Sequence, residues 1–169
     1  AYEKIFEPEE GEFKTKLYTS IIDDISNNTG ASLIKELFNT KAFDYPKPID
    51  LIYRVIQLAN IGNDDIVLDF FSGSASTAHA VMKYNLDNNS NCRYIMVQYP
   101  ESIEENSEMY NRGMRTICEI GKERIRRAGD RIKLEHPDAD IDIGFKVFRT
   151  ADTNIKWNSI MDMGQINVN

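Results

Sequence analysis

A chain of 169 residues has the length of one domain, and 41% apolar residues are enough for a core. No apolar run approaches the roughly 20 residues of a membrane helix, and the polar, acidic opening stretch is not a signal peptide. A net charge of −7 excludes a free-standing nucleic-acid binder built on clustered cations, but not one segment of a larger DNA enzyme.

Residues 1–44 read as a mixed entry segment. Pro8 and Gly11 interrupt its start, "NNTGA" (27–31) is a turn signal, and Leu33, Ile34, Leu37 and Phe38 follow at helical spacing. In "DYPKPIDLIYRVIQLAN" the two prolines hold Tyr45 and Lys47 extended. Pro48 then suits the first turn of a helix with Ile49, Ile52, Ile56 and Ala59 on one face. "DIVLDFF" (65–71) is an unbroken β-prone run, the pattern of a strand buried on both faces of a parallel sheet. "SGSAS" is a turn, and "STAHAVMKYNL" is a helix that turns Ala78, Val81 and Met82 inward. "CRYIMVQ" is a second buried strand, residues 107–134 a long helix open to a break at Gly113 or Gly121, and "IDIGFKVFRT" a third strand. This alternation predicts a doubly wound α/β sheet spanning residues 45–150, with residues 151–169 a tail anchored by Trp157. Cys92 and Cys118, with no CxxC spacing, read as two reduced thiols of a cytoplasmic protein, and His79 and His136 lie too far apart to suggest a metal site.

In an open parallel sheet, ligands bind beyond the carboxyl ends of the strands. Residues 72–76 occupy such an end. Their small side chains admit a ligand close to the backbone, and the following helix N-terminus favours an anion. Asp69 supplies the opposite sign, suited to an ammonium. A zwitterionic amino acid, or the methionine end of S-adenosylmethionine, has both groups. The dinucleotide pattern GxGxxG fails, because "GSASTA" from Gly73 keeps one of three glycines, and no phosphate-binding GxxxxGK motif occurs. A tight turn with no ligand fits the loop about as well.

The order "DYPKP … VLDFFSGSAST … RYIMVQYPE … IGKERIRRAGDRI … GFKVF" resembles the C-terminal half of the modification subunit of type III restriction-modification systems, from about Lys35 to Trp157. These are S-adenosylmethionine-dependent adenine-N6 DNA methyltransferases of the permuted β class. The resemblance implies a Rossmann-like three-layer sandwich, present in part, with S-adenosylmethionine as cofactor. It also implies DNA as substrate, reached through regions mostly outside this chain, and a second modification subunit and a restriction subunit as partners. Against the family's D-x-F-x-G-S-G-T-T loop, Asp69, Phe71, Gly73, Ser74 and Thr77 match, Phe70 lies between matched positions, Ala75 replaces the second glycine and Ser76 a threonine. A positive φ at Ala75 would strain the backbone, and its methyl is expected beside the ligand. "YPKP" corresponds to the segment that closes over the methionine moiety, which brings in Lys47 and Pro48. The ribose hydroxyls fall to Gln98 by position or to Glu101 by chemistry, although Glu101 also fits a helix-start acid. His79 reads as a packing or surface residue, and the cations of "KERIRRAGDRIK" as a solvated face paired with Glu123 and Asp130.

An adenine methyltransferase must also grip a flipped-out base, which the family does with an Asp/Asn/Ser-Pro-Pro-aromatic motif. No Pro-Pro pair occurs here. In the β class that motif precedes the cofactor loop, so its absence and the abrupt termini predict a piece of a longer enzyme, with no catalytic residue of its own and no turnover alone. A competing reading is a methyltransferase-like assembly module that no longer holds cofactor, which Ala75 favours. An RNA or small-molecule methyltransferase of similar fold would need a substrate motif, and none is visible.

Overall fold

The structure, a computed structural model, describes residues 22–152. Its elements run α1 (Asn28–Phe38), α2 (Ile49–Ala59), β1 (Ile66–Asp69), α3 (Ser76–Asn88), β2 (Arg93–Met96), α4 (Glu108–Asn111) and α5 (Ile117–Glu135). The expected tail and Trp157 lie outside the described residues, as do Pro8 and Gly11.

β1 and β2 pair in parallel, Ile66 opposite Arg93 and Asp69 opposite Met96, with α3 as the crossover between them. The backbone ladder continues past the strands: the Val97 N–H donates to the Asp69 carbonyl at 2.8 Å and the Ser72 N–H to the Val97 carbonyl at 3.1 Å. The loop after β1 is thereby fastened to the end of β2.

The expectation of strands buried on both faces is corrected. Val67, Tyr94 and Met96 turn inward, where Ile56, Ala80 and Val81 meet the sheet on one side of Tyr94 and Ala78, Met82 and Ile125 on the other. Ile66, Leu68, Ile95 and Val97 stay about half exposed. Among the described residues, α2, α3 and α5 all pack on the same face, so the unbroken apolar runs reflect two apolar faces of which one is covered. Among the described residues the fold is mixed α/β with a small parallel two-stranded sheet in place of the expected doubly wound one.

The third strand is corrected as well. Residues 141–150 carry no strand pairing. Their period-2 pattern is nonetheless used, because Ile141, Ile143 and Phe145 pack against the cluster built from α3 and α5. Gly129 of α5 makes room for this: a Cβ there would lie 2.9 Å from Ile143 Cβ. Alternation thus reported burial correctly, while the ladder that defines a strand needs a neighbour that this segment does not have among the described residues.

The long helix breaks at Gly113 (φ +92°), between α4 and α5. α5 restarts with Glu119 accepting from the backbone N–H of Thr116 at 3.0 Å and of Arg115 at 2.5 Å. Two orphan donors are satisfied, which holds the Glu119 carboxyl below its ordinary range. α1 starts inside the supposed turn signal, at Asn28, so Gly30 is helical and buried. α2 begins at Ile49, so Pro48 stands just before the first turn, at the N-cap position and without a side-chain cap hydrogen bond, and Ala59, expected on its buried face, is exposed.

Candidate functional site

Asp69 ends β1, and both of its carboxylate oxygens are engaged. Oδ1 accepts from the Phe71 N–H at 3.0 Å and Oδ2 from the Thr77 hydroxyl at 2.6 Å. A carboxylate oxygen accepts more than one hydrogen bond, so each retains capacity for a ligand ammonium. The two existing bonds hold the carboxylate in one orientation against the first turn of α3.

The loop is clamped from two further directions. Gln98, just past β2, accepts from the Gly73 N–H at 2.8 Å through Oε1. The Phe43 ring lies 3.5 Å from where a Gly73 Cβ would stand. Gly73 itself has φ +50°, a conformation glycine adopts without cost. Phe43 belongs to the segment leading into Pro46 and Pro48, so this segment approaches the loop through Phe43.

Ala75 takes φ +60° and ψ +40°, the strained left-handed state that the missing glycine raised. The strain is on the order of 1–2 kcal/mol. The expected placement of its methyl is corrected. Ala75 is 2% exposed and packs with Ala78, Met82 and Ile125, and its Cβ would lie 3.5 Å from a Cβ on Gly121. The methyl faces α5 and the core, because the left-handed backbone turns it inward. The feature that favoured an assembly module without cofactor therefore no longer does so. Ala75→Gly relieves the strain and loses one buried methyl, worth roughly 0.8 kcal/mol. Chemical denaturation is expected to show a stability change below about 1 kcal/mol, and titration calorimetry an S-adenosylmethionine affinity within about twofold of the parent chain.

Ala75 gives α3 no side-chain cap, so the first-turn N–H groups are not satisfied by the chain in that way. Acidic capacity at Asp69 and a helix start without a side-chain cap among the described residues stand on one loop, a pairing that suits an amino-acid zwitterion. Ser74 is buried, and Phe70 and Phe71 are exposed, with Phe71 91% open. Lys47 is exposed while Pro48 is fully buried. Glu101 is exposed and starts no helix; its backbone joins that of Tyr99 and Ile117. Among the described residues, neither Lys47 nor Glu101 is joined to the loop by a hydrogen bond.

His79 is buried at 7% exposure, and its Nδ1 meets no partner among the described residues. Burial, then the charges of Arg124, Arg131 and Lys83, depress its pKa from 6.5 to about 3. Because the folded value is depressed, the associated stability is complete above pH 6.5 and is lost as pH falls from there towards 3. Between pH 7 and pH 4 the loss from this group is on the order of 3 kcal/mol. Thermal melts of the parent chain and of His79→Gln should accordingly differ most at pH 4, with the variant losing less on acidification.

Sequence reasoning missed three residues here: Phe43, Gly121 and Arg124. Glu123 does pair with Arg126 and Arg127, and Arg131 with Glu135 and Glu36. Asp130 takes no part in the ion pairs of the described residues. Arg124, however, is fully buried and donates through Nη1 to the hydroxyls of Ser74 at 3.0 Å and Ser76 at 2.6 Å. A signal for it existed. Gly121, Arg124, Ala128 and Ile132 recur at helical spacing, which places the arginine on the apolar stripe.

The described residues form a parallel strand–helix–strand unit with an acid at the first strand end and small residues in the loop that follows. The chain belongs to the DNA methylase family, whose N6_N4_Mtase model matches residues 3–128. It is similar to the type III restriction-modification enzyme StyLTI Mod subunit of Salmonella typhimurium, with 40% identity over 75% of this chain and 19% of that protein. It is also similar to the EcoPI Mod subunit of Escherichia phage P1, at 37% identity over 86% of this chain and 22% of that protein. Type II methyltransferase M.KpnI of Klebsiella pneumoniae shares 31% identity over 57% of this chain and 23% of its own length. The chain thus spans about a fifth of the length of the curated relatives it matches.

Proposed function

We propose that this chain is the S-adenosylmethionine-binding part of a DNA adenine-N6 methyltransferase of the type III modification-subunit kind. The observation that carries the reading is Asp69, oriented by Phe71 and Thr77 beside the uncapped start of α3. The donor set fits the cofactor: Asp69 for the ammonium, first-turn N–H groups for the carboxylate, and Gln98 or Glu101 for the ribose hydroxyls. When bound, the cofactor would supply an electrophilic methyl group for transfer to the adenine nitrogen.

The residues of this chain do the positioning. Asp69 and the loop hold the amino-acid end, and the segment carrying Lys47 and Pro48 covers it. Phe70 and Phe71, exposed at the strand end, offer apolar surface to the adenosine. Gripping the base is left to residues outside the chain, since no Pro-Pro pair occurs in it. Further strands would complete the two-stranded sheet to the Rossmann-like three-layer sandwich of the full cytoplasmic enzyme. In that enzyme a second Mod subunit, DNA and a Res subunit are the partners, a reading supported by the Mod relatives.

Titration calorimetry tests the assignment. The chain is expected to bind S-adenosylmethionine at one site and to transfer no methyl group to DNA by itself. Failure to bind the cofactor, or methylation of DNA by the chain alone, would contradict it.

A further inference from the structure

Arg124 is a buried cation with no carboxylate paired to it among the described residues. It is 0% exposed, and its Nε and Nη2 meet no partner among the described residues. No carboxylate is among the groups that bear on its protonation; burial alone lowers it to about 10, so it stays charged at neutral pH. Its titratable neighbour His79 is neutral there. Burying a charge costs several kcal/mol, and an apolar residue of similar volume is often as stable or more so. Stability of the fold therefore does not explain this arginine.

Its position does suggest a reason. Arg124 stands one turn after Gly121 on α5, and a Cβ on Gly121 would come within 3.3 Å of the Gly73 carbonyl oxygen. α5 is thus pressed against the underside of the loop, and Arg124 reaches Ser74 and Ser76 on either side of the strained Ala75. A serine hydroxyl that accepts from a guanidinium keeps its own proton for donation, and the charge polarises that donation. The same charge lies under the first turn of α3, where it adds to the field of the helix N-terminus.

We propose that Arg124 is a positioning residue for the anionic end of the ligand. Acting through Ser74 and Ser76, it sets the shape of the loop and biases the crevice towards a carboxylate. An arriving carboxylate is the counter-charge the buried guanidinium lacks. This rests on the cofactor reading above and deepens it, by assigning the carboxylate preference to a residue that never touches the ligand.

The test compares S-adenosylmethionine with its decarboxylated analogue, on the 169-residue chain and its variants, by titration calorimetry with parallel thermal melts. Arg124→Met should melt at or above the temperature of the parent chain. It should bind S-adenosylmethionine at least about tenfold more weakly, the scale of one lost charge-assisted hydrogen bond. The decarboxylated analogue should lose less than about threefold, and Arg124→Lys should recover part of the difference. Equal losses for both ligands, or no loss, overturn the proposal while leaving the cofactor reading intact. If Arg124→Met does not fold, the Ser74→Ala/Ser76→Ala pair decides: selective loss of S-adenosylmethionine supports the relay, and unselective loss or none overturns it. A parent chain that binds neither ligand overturns the proposal together with the reading beneath it.

Discussion

Asp69→Ala should reduce S-adenosylmethionine affinity by about 30- to 150-fold, the equivalent of the ~2–3 kcal/mol of a charge-assisted hydrogen bond to a ligand ammonium. The carboxylate is held by the Phe71 N–H and the Thr77 hydroxyl, so its loss removes a pre-oriented acceptor. The substitution also leaves those two donors without their acceptor, at a cost of about 1–3 kcal/mol if water cannot replace it. Affinity and stability must therefore be measured separately. 5′-Methylthioadenosine separates them, because it lacks the amino-acid tail. Its affinity should change little in Asp69→Ala, whereas a collapsed loop would lower both. Asp69→Asn, which keeps the shape but replaces one acceptor oxygen with a donor, should resemble Asp69→Ala for the full cofactor.

Gly30→Ala should be the most damaging single-methyl substitution in the segment that supports the site. A Cβ at Gly30 would stand 2.2 Å from the Pro46 carbonyl oxygen and 2.9 Å from both Lys47 C and Pro48 N. All three are backbone atoms, and Pro48 is fully buried, so no flexible side chain can yield. Overpacking of this kind costs about 1–3 kcal/mol or more, which for a domain of this size lowers the melting temperature by roughly 2–12 °C. α1 is held from its other end as well, where Arg112 and Arg127 donate to the carbonyls of Phe38 and Leu37 at 2.7 and 2.9 Å. The Pro46–Pro48 backbone is therefore the part expected to move, taking Lys47 with it. Differential scanning calorimetry checks the stability change, and cofactor titration checks the loss at the site.

What could be read from the sequence follows the range of the interactions involved. The strand–turn–helix around Asp69 was legible because its signals are local: an apolar β-prone run, small residues, then helical spacing. The inward face of α3 was legible for the same reason, and the break in the long helix was narrowed to Gly113 or Gly121, of which Gly113 is the one used. The third strand was not, since "IDIGFKVF" has the alternation of a strand but pairing depends on a neighbour the segment cannot specify. The burial of both sheet faces failed likewise, because Ile66, Leu68, Ile95 and Val97 show what a face prefers and not what covers it. The direction of the Ala75 methyl depended on a backbone dihedral, and Gly30 was read as a turn residue although its role is close contact with a distant loop. Arg124 was hidden by composition. In a helix rich in Glu–Arg pairs the bland expectation holds for Arg126, Arg127 and Arg131, and fails for the one arginine on the stripe of Gly121, Ala128 and Ile132.

The loop's shape and its charges are separable claims, and the second carries the account. A crystal structure of the chain soaked with sinefungin, which has the amino-acid tail but no transferable methyl, tests it most directly. The tail's ammonium is expected within hydrogen-bonding distance of Asp69, and its carboxylate over the first turn of α3. Sinefungin bound with its tail turned away from Asp69, or an empty crevice at saturating concentration, would contradict it.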